Sequence, residues 1–338
     1  MESMTFKTVL IGCVSAAALM ATSAAADTWR YAFEEAIDEV QGVFATQFKE
    51  HVEANSDHTV QLFPFGTLGE SDDIMEQTQA GILQFVNQSP GFTGALIPEA
   101  QVFFVPYLLP QEGEALYNFF RDSVAINEMF PELYAQHGLE LLTMYPEGEV
   151  VITTANPFRS PADLAGQNIR VMTNPLLVES YRAFGAVPTP LPWGEVYGAL
   201  QTNMLQGQEN PMFYVESTRM YEVTDYLTFT GHNNFTTALI ANQDFFNGLS
   251  EEDQQLVRDA TDVAFEYILE YQQGLTQRAL DGILEAKPEM VVTRLTDEER
   301  QAFMDTSESV EAEFIRMTGD SGQRILDQMK EDLAAASE

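Results

Sequence analysis

Short apolar runs separated by stretches of helical period set the plan of this chain. WRYAF (29–33), TVQLFPFG (59–66) and ILQFVNQS (82–89) read as strands, with an amphipathic helix over about 35–54 and another near 72–80 between them. Two helices over about 112–137 lead to two further strands, LELLTMYP (139–146) and EVVITT (149–154). A second β–α–β set begins at NIRVM (168–172), continues through a helix near 175–184 and returns as a strand near 186–191. This alternation predicts an α/β fold of two lobes, each a sheet flanked by helices. Ligands in open α/β sheets gather at the carboxyl ends of strands, so the cleft between the lobes is where a site belongs.

The C-terminal third has a different rhythm. Ser250 is a suitable N-cap with Asp253 three residues on, and Leu256, Ala260, Val263, Tyr267, Tyr271, Leu275, Ala279 and Ile283 then recur every three or four residues. The spacing predicts one helix of about 35 residues, roughly 50 Å long, running along both lobes. Pro288 ends it, MVVTRL (290–295) is a strand, and Thr296 restarts helices. No internal repeat or Pro-rich hinge interrupts the chain. The expected division is 27–150 plus 239–278 for lobe I, and 151–238 plus 279–338 for lobe II.

Charge narrows the choice of partners. The 338 residues include 52 acidic and 16 basic ones, for a formal net charge of −36. Such a surface repels nucleic-acid phosphates and gains nothing from anionic lipid, so nucleic acid is excluded as a partner. It suits a hydrated monomer in saline surroundings, where screening softens self-repulsion.

The first 26 residues read as a secretion signal, with Lys7, the apolar VLIGCVSAAALMA and a small-residue site before Asp27. Cleavage after Ala26 would release the mature chain to the periplasm. LIGC (10–13) also fits a lipoprotein box at Cys13, but an apolar run follows it where a polar tether belongs. Cys13 is the single cysteine, so the mature chain is expected to lack disulfides and thiol chemistry.

Little in the sequence points to catalysis. His51, His58, His137 and His232 are scattered, with no metal-ligand spacing, and no cofactor is implied. GDSG (319–322) resembles the nucleophile segment of chymotrypsin-like proteases, yet it lies between helical stretches and reads as a helix junction. No nucleophile elbow, phosphate loop or dinucleotide fingerprint is present. Aromatic and polar residues at element boundaries stand out instead: Phe92 in SPGFTG, Trp193 in PLPWGEVYG, Asn210, Phe213 and Tyr214 in GQENPMFY, and Phe235 in HNNFTTAL. Binding residues concentrate at such boundaries on a rigid scaffold. Arg170, between Ile169 and Val171 on a short strand, reads either as half of a surface ion pair or as a buried guanidinium that needs a carboxylate, which a ligand supplies. Glu35 opens a helix, where an acid also suits the helix dipole.

SPADLAGQNIRVMTNPL (160–176) and PLPWGEVYGALQTNMLQGQENP (190–211), behind a signal segment, resemble the extracytoplasmic substrate-binding proteins of TRAP transporters over the whole mature chain. The resemblance implies the two-lobed periplasmic solute-binding fold and no enzymatic activity. It also implies delivery of a small organic anion to membrane permease subunits, with Arg170 clamping the ligand carboxylate. WRYAFEE (29–35), GESDDIMEQTQAGILQFVNQSPGFTG (69–94) and TPLPWGEVYG are similar to the subgroup that binds ectoine and hydroxyectoine. That similarity implies Glu35 against the cationic amidine, a hydrogen bond from Asn210, and Phe92, Trp193, Phe213, Tyr214 and Phe235 around the ring. Tyr214 stands where a tryptophan is expected, and its hydroxyl suits the extra polar group of hydroxyectoine. The chemistry agrees independently, because a compact zwitterion needs one anion, one cation and a dry wall, which aromatic faces supply. The alternatives are a TRAP binder for another small zwitterion or monocarboxylate, and a secreted α/β enzyme.

Overall fold

The computed structural model describes residues 27–111 and 113–337; the expected signal segment, its cleavage point and Cys13 lie outside the described residues. In chain order the strands are β1 (Thr28–Phe33), β2 (Thr59–Phe63), β3 (Phe85–Gln88), β4 (Leu139–Thr154), β5 (Asn168–Val171), β6 (Val187–Pro190), β7 (Gly207–Pro211), β8 (Tyr226–Phe229), β9 (Asn234–Asn242) and β10 (Val291–Arg294). The first lobe's sheet has the order β2-β1-β3-β9-β4, and the second's runs β6-β5-β7-β4-β8-β10. Pairs built through helical crossovers are parallel, as in β1–β2, β1–β3, β5–β6 and β5–β7. Both β9 and β7 run antiparallel to β4, so each sheet is mixed.

β4 belongs to both sheets. Its residues up to Glu149 pair with β9, while Val150–Thr154 pair with β7 on one edge and Ile152–Thr154 with β8 on the other. The two strands expected over 139–146 and 149–154 are therefore one strand of 16 residues. Pro146-Glu147-Gly148 has the composition of a turn, and it produces a register irregularity inside the strand instead. The chain returns to the first sheet at Asn234, where β9 begins.

The helix expected from Ser250 to Ile283 is two helices, Glu251–Tyr271 and Leu275–Ala286. Gly274 takes φ 72 between them, a left-handed conformation that stops the first helix at little cost to glycine. The apolar stripe is also turned relative to expectation. Val257, Ala260, Ala264 and Ile268 are buried, whereas Val263 and Tyr267 are exposed. The first helix packs on Val40–Asn55 of lobe I and the second on Met212–Ser217 near the cleft.

A long helix does span both lobes, but it is the last one. Asp297–Ala336 packs against Pro98–Phe104, Glu114–Asp122 and Pro175–Ala183. Thr296 caps it in a reciprocal box with Glu299, as its position suggested. Gly319, from the GDSG motif, kinks it with φ 64 and ψ −147. Among the described residues no helix is long and apolar enough to cross a membrane.

Candidate functional site

Where β1 ends, the chain does not enter a helix at once. Residues 34–39 form a turn, and the helix Val40–Asn55 starts five residues after Glu35. The turn folds tightly back over the helix, since a Cβ on Gly42 would lie 2.3 Å from the carbonyl oxygen of Ala36. This fold presses Glu34 and Glu35 inward, and both are buried. Glu35 Oε2 accepts from the backbone N–H of Gln41 at 2.8 Å, so the residue also serves the helix N-terminus. Glu34 Oε2 accepts from the N–H of Ser89, just past β3, at 2.8 Å.

Gln41 is the hub of this side. Its Oε1 accepts from the N–H of Glu34 at 2.8 Å, and its Nε2 donates to Glu147 Oε1 at 3.0 Å and to Thr237 Oγ1 at 3.1 Å. One side chain thus ties the end of β1 to β9 and to β4, the strand shared by both sheets.

Desolvation pushes all three carboxyls upward, because burial penalises the charged form. Glu34 rises to about 8 by burial, opposed by nearby Ser71 and by the hydrogen bond from the Ser89 N–H. Glu35 is raised well above the carboxylate range by burial first, then by the neighbouring Glu147 and Glu39. Glu147 is raised by burial as well.

The other charged wall comes from the second lobe. Arg170 is the third residue of β5 and 2% exposed. Its Nε donates to the carbonyl of Leu191 at 3.0 Å, and its guanidinium lies 5.3 Å from the centroid of the Trp193 ring. Among the described residues it forms no ion pair. Burial lowers its pKa to about 10, with Glu209 the largest influence in the other direction, so it stays charged at neutral pH. Glu209, buried on β7, is raised to about 7 by burial and lowered by Arg170.

These groups meet around one cavity, with about 410 Å³ of empty space including its mouth. Glu35, Phe92, Arg170, Trp193, Asn210, Tyr214 and Phe235, seven of the eight residues singled out in the sequence, line it. Phe92 lies in the short helix Pro90–Thr93 after β3, Trp193 opens the helix Trp193–Gln201, and Phe235 is at the start of β9. Trp193 and Tyr214 face each other with centroids 4.8 Å apart. Asn210 donates to Gln208 Oε1 at 2.5 Å, which fixes its amide on β7.

Phe213 does not reach this cavity. It faces a neighbouring one with Met212, Gly274 and Leu275. Phe213 and Tyr214 are successive residues of the helix Met212–Ser217 and point about 100° apart, Tyr214 toward this cavity and Phe213 toward its neighbour.

Sequence reasoning missed Glu34, Gln41, Phe65, Ser71, Glu147, Met172 and Pro211, all of which line the cavity. Glu34 carried one signal, since residues 34 and 35 both follow a buried strand end. Glu147 carried none. The four histidines contribute nothing to the lining: His58 stacks on Trp29 at 4.5 Å, and His232 is buried against Tyr181. Among the described residues no group of side chains is arranged to hold a metal.

Comparison with known proteins places this architecture. Residues 32–317 match the family described as bacterial extracellular solute-binding protein, family 7. The chain is 63% identical, over 99% of both lengths, to the ectoine/5-hydroxyectoine-binding periplasmic protein UehA of Ruegeria pomeroyi. It is 62% identical to the ectoine-binding periplasmic protein TeaA of Halomonas elongata, over 94% of this chain and 93% of that one. The solved structure of the periplasmic ectoine-binding protein from the TeaABC TRAP transporter of Halomonas elongata superposes with a TM-score of 0.90, covering 91% of this chain and all of that one. These proteins share the two-lobed mixed-sheet fold described above, and the chain belongs to the bacterial extracellular solute-binding protein family 7.

Proposed function

We propose that this protein captures ectoine, and hydroxyectoine as well, in the cleft between its lobes and delivers it to the membrane subunits of a TRAP transporter. It acts in the periplasm and leaves its ligand chemically unchanged. One observation carries the reading: a single cavity is lined by an arginine and several carboxyls with aromatic rings between them, and among the described residues the arginine forms no ion pair. Buried charges are costly unless matched, and a compact zwitterion matches both signs at once. Arg170 takes the ligand carboxylate in a two-pronged hydrogen bond. Glu35 faces the amidinium, Asn210 adds a polar contact, and Phe92, Trp193, Tyr214 and Phe235 form the dry wall. The names of the two relatives above support the choice of ectoine among zwitterions.

A dicarboxylate fits this lining poorly, because its second anionic end would meet Glu35 and its neighbours. Titration calorimetry against ectoine, hydroxyectoine, glycine betaine, proline and succinate tests the proposal. Ectoine and hydroxyectoine should bind at one per chain and outcompete the rest. Succinate binding as tightly as ectoine would sink the zwitterion assignment.

A further inference from the structure

Two carboxyl oxygens of the cleft lack a hydrogen-bond partner although both are buried: Oε1 of Glu34 and Oε2 of Glu147. Glu147 sits in the middle of β4, at the register irregularity where that strand passes from one lobe to the other. Its Oε1 is held by Gln41, which leaves Oε2 for whatever occupies the cavity it lines. Glu35 lines the same cavity from the turn after β1, and its Oε2 is held by the backbone N–H of the same Gln41 whose Nε2 holds Glu147.

Two buried carboxylates held side by side by one residue repel each other when both are ionised, which favours a proton on one of them. The surroundings favour keeping it. Glu34 and Glu39 from the turn, Tyr145 from β4 and Tyr214 from the helix Met212–Ser217 face the pair, and the cation in the cavity is Arg170 on the other lobe.

We propose that Glu147 is a second recognition group for the cationic end of the ligand: Glu35 and Glu147 hold one proton between them in the ligand-free protein, and the bound cation displaces it. The inference rests on the zwitterion reading above. The balance is simple. One carboxyl O–H bond breaks, the proton leaves to the buffer, and the pair gains one negative charge that the ligand cation offsets. Capture of a net-neutral molecule is thereby coupled to proton release. The geometry also selects against neutral and anionic ligands, which offer nothing to exchange for the proton.

The experiment is calorimetric titration of the mature protein with ectoine near neutral pH in phosphate, MOPS and Tris. Plotting observed heat against buffer ionisation heat gives the number of protons exchanged. A release approaching about one proton per ligand is expected, with affinity rising by up to about tenfold per pH unit while the pair remains protonated. Glu147→Gln should abolish most of the release and flatten the pH dependence, whereas Glu140→Gln, on the same strand but outside the cavity lining, should retain both. Binding with no buffer dependence in the unmodified protein would overturn the inference and leave the ectoine reading standing. So would a release that survives in Glu147→Gln and disappears in Glu34→Gln. Failure of ectoine to bind at all would overturn both. Should Glu147→Gln not fold, affinity independent of pH in the unmodified protein is the decisive contrary result.

Discussion

On the β1 and β4 side of the cleft, three carboxyls are each held by a hydrogen bond, those of Glu35 and Glu147 through Gln41. On the β5 side a single guanidinium is fixed by one carbonyl and one indole face. The contrast follows from what each group can do when unmatched. A buried carboxyl escapes its charge by taking up a proton, and the upward shifts of Glu34, Glu35 and Glu147 express that. A guanidinium has no such escape near neutral pH, even with its pKa lowered to about 10. The acidic side can therefore rest neutral and respond to pH, while the basic side stays charged and waits for an anion. Removing the arginine should do more damage than removing any one carboxyl.

Arg170→Ala is the most severe way to break this asymmetry. Truncating one partner of a desolvated charge pair costs about 2–5 kcal/mol, or about 30- to several thousand-fold in affinity. Calorimetry should find ectoine binding lost while circular dichroism reports a folded protein. Arg170→Lys should also bind poorly, since an ammonium lacks the planar fork. Affinity within about threefold of the unmodified protein in Arg170→Ala would refute the carboxylate clamp.

Glu35→Gln tests the other side. It keeps the acceptor for the Gln41 N–H and removes the charge, so a loss of about 1.5–3 kcal/mol is expected, the scale of a charged hydrogen bond. An unchanged dissociation constant would reduce Glu35 to its helix-capping role.

The third test reads the acidic side through stability. Glu34 titrates at about 8 in the fold and at the ordinary 4.5 when unfolded, and Glu209 at about 7. Between those limits the folded state binds more protons than the unfolded chain, so stability falls as pH rises. His232, lowered to about 3 by burial, opposes this only below its ordinary value of 6.5. The ligand-free protein should thus show a lower Tm at about pH 8.5 than at about pH 6.5. Glu34→Gln should shrink that difference. An equal fall in the variant would mean that Glu34 is already ionised across the range.

What the sequence disclosed follows the same divide. Arg170 was legible because a charged residue between Ile169 and Val171 on a short strand is an anomaly that demands a partner. The aromatics were legible because large rings beside Gly and Pro have little core to enter. Glu147 was hidden because PEG reads as a turn between two strands, and only pairing with β9 and β7 shows one strand crossing the lobes. Gln41 lies in an amphipathic helix, where a polar residue at the first turn looks like solvent-facing surface. The break at Gly274 was missed for a related reason. Helical period continued across it, and a single glycine lowers helix propensity by only about 1 kcal/mol. Local pattern reports local geometry, and the carboxyl cluster is assembled from segments more than a hundred residues apart.

The smallest effect expected is at Trp193, which lies against both Arg170 and Tyr214. The chain has two tryptophans, and Trp29 is buried in the first lobe against His58 and Phe85, away from the cavity lining. Ectoine arriving against Trp193 would dry its surroundings and set a cation near the indole. Intrinsic fluorescence should shift on titration and saturate at one ligand per chain. Trp193→Phe should lose most of that signal yet weaken binding only modestly, because an apolar wall remains. Trp193→Ala removes a cation–π attraction of about 0.5–2 kcal/mol together with the ring that holds Arg170 in place, so affinity should fall at least several-fold. If fluorescence still responds in Trp193→Phe and Trp193→Ala binds like the unmodified protein, the indole belongs to the scaffold, and the aromatic wall rests on Phe92, Tyr214 and Phe235.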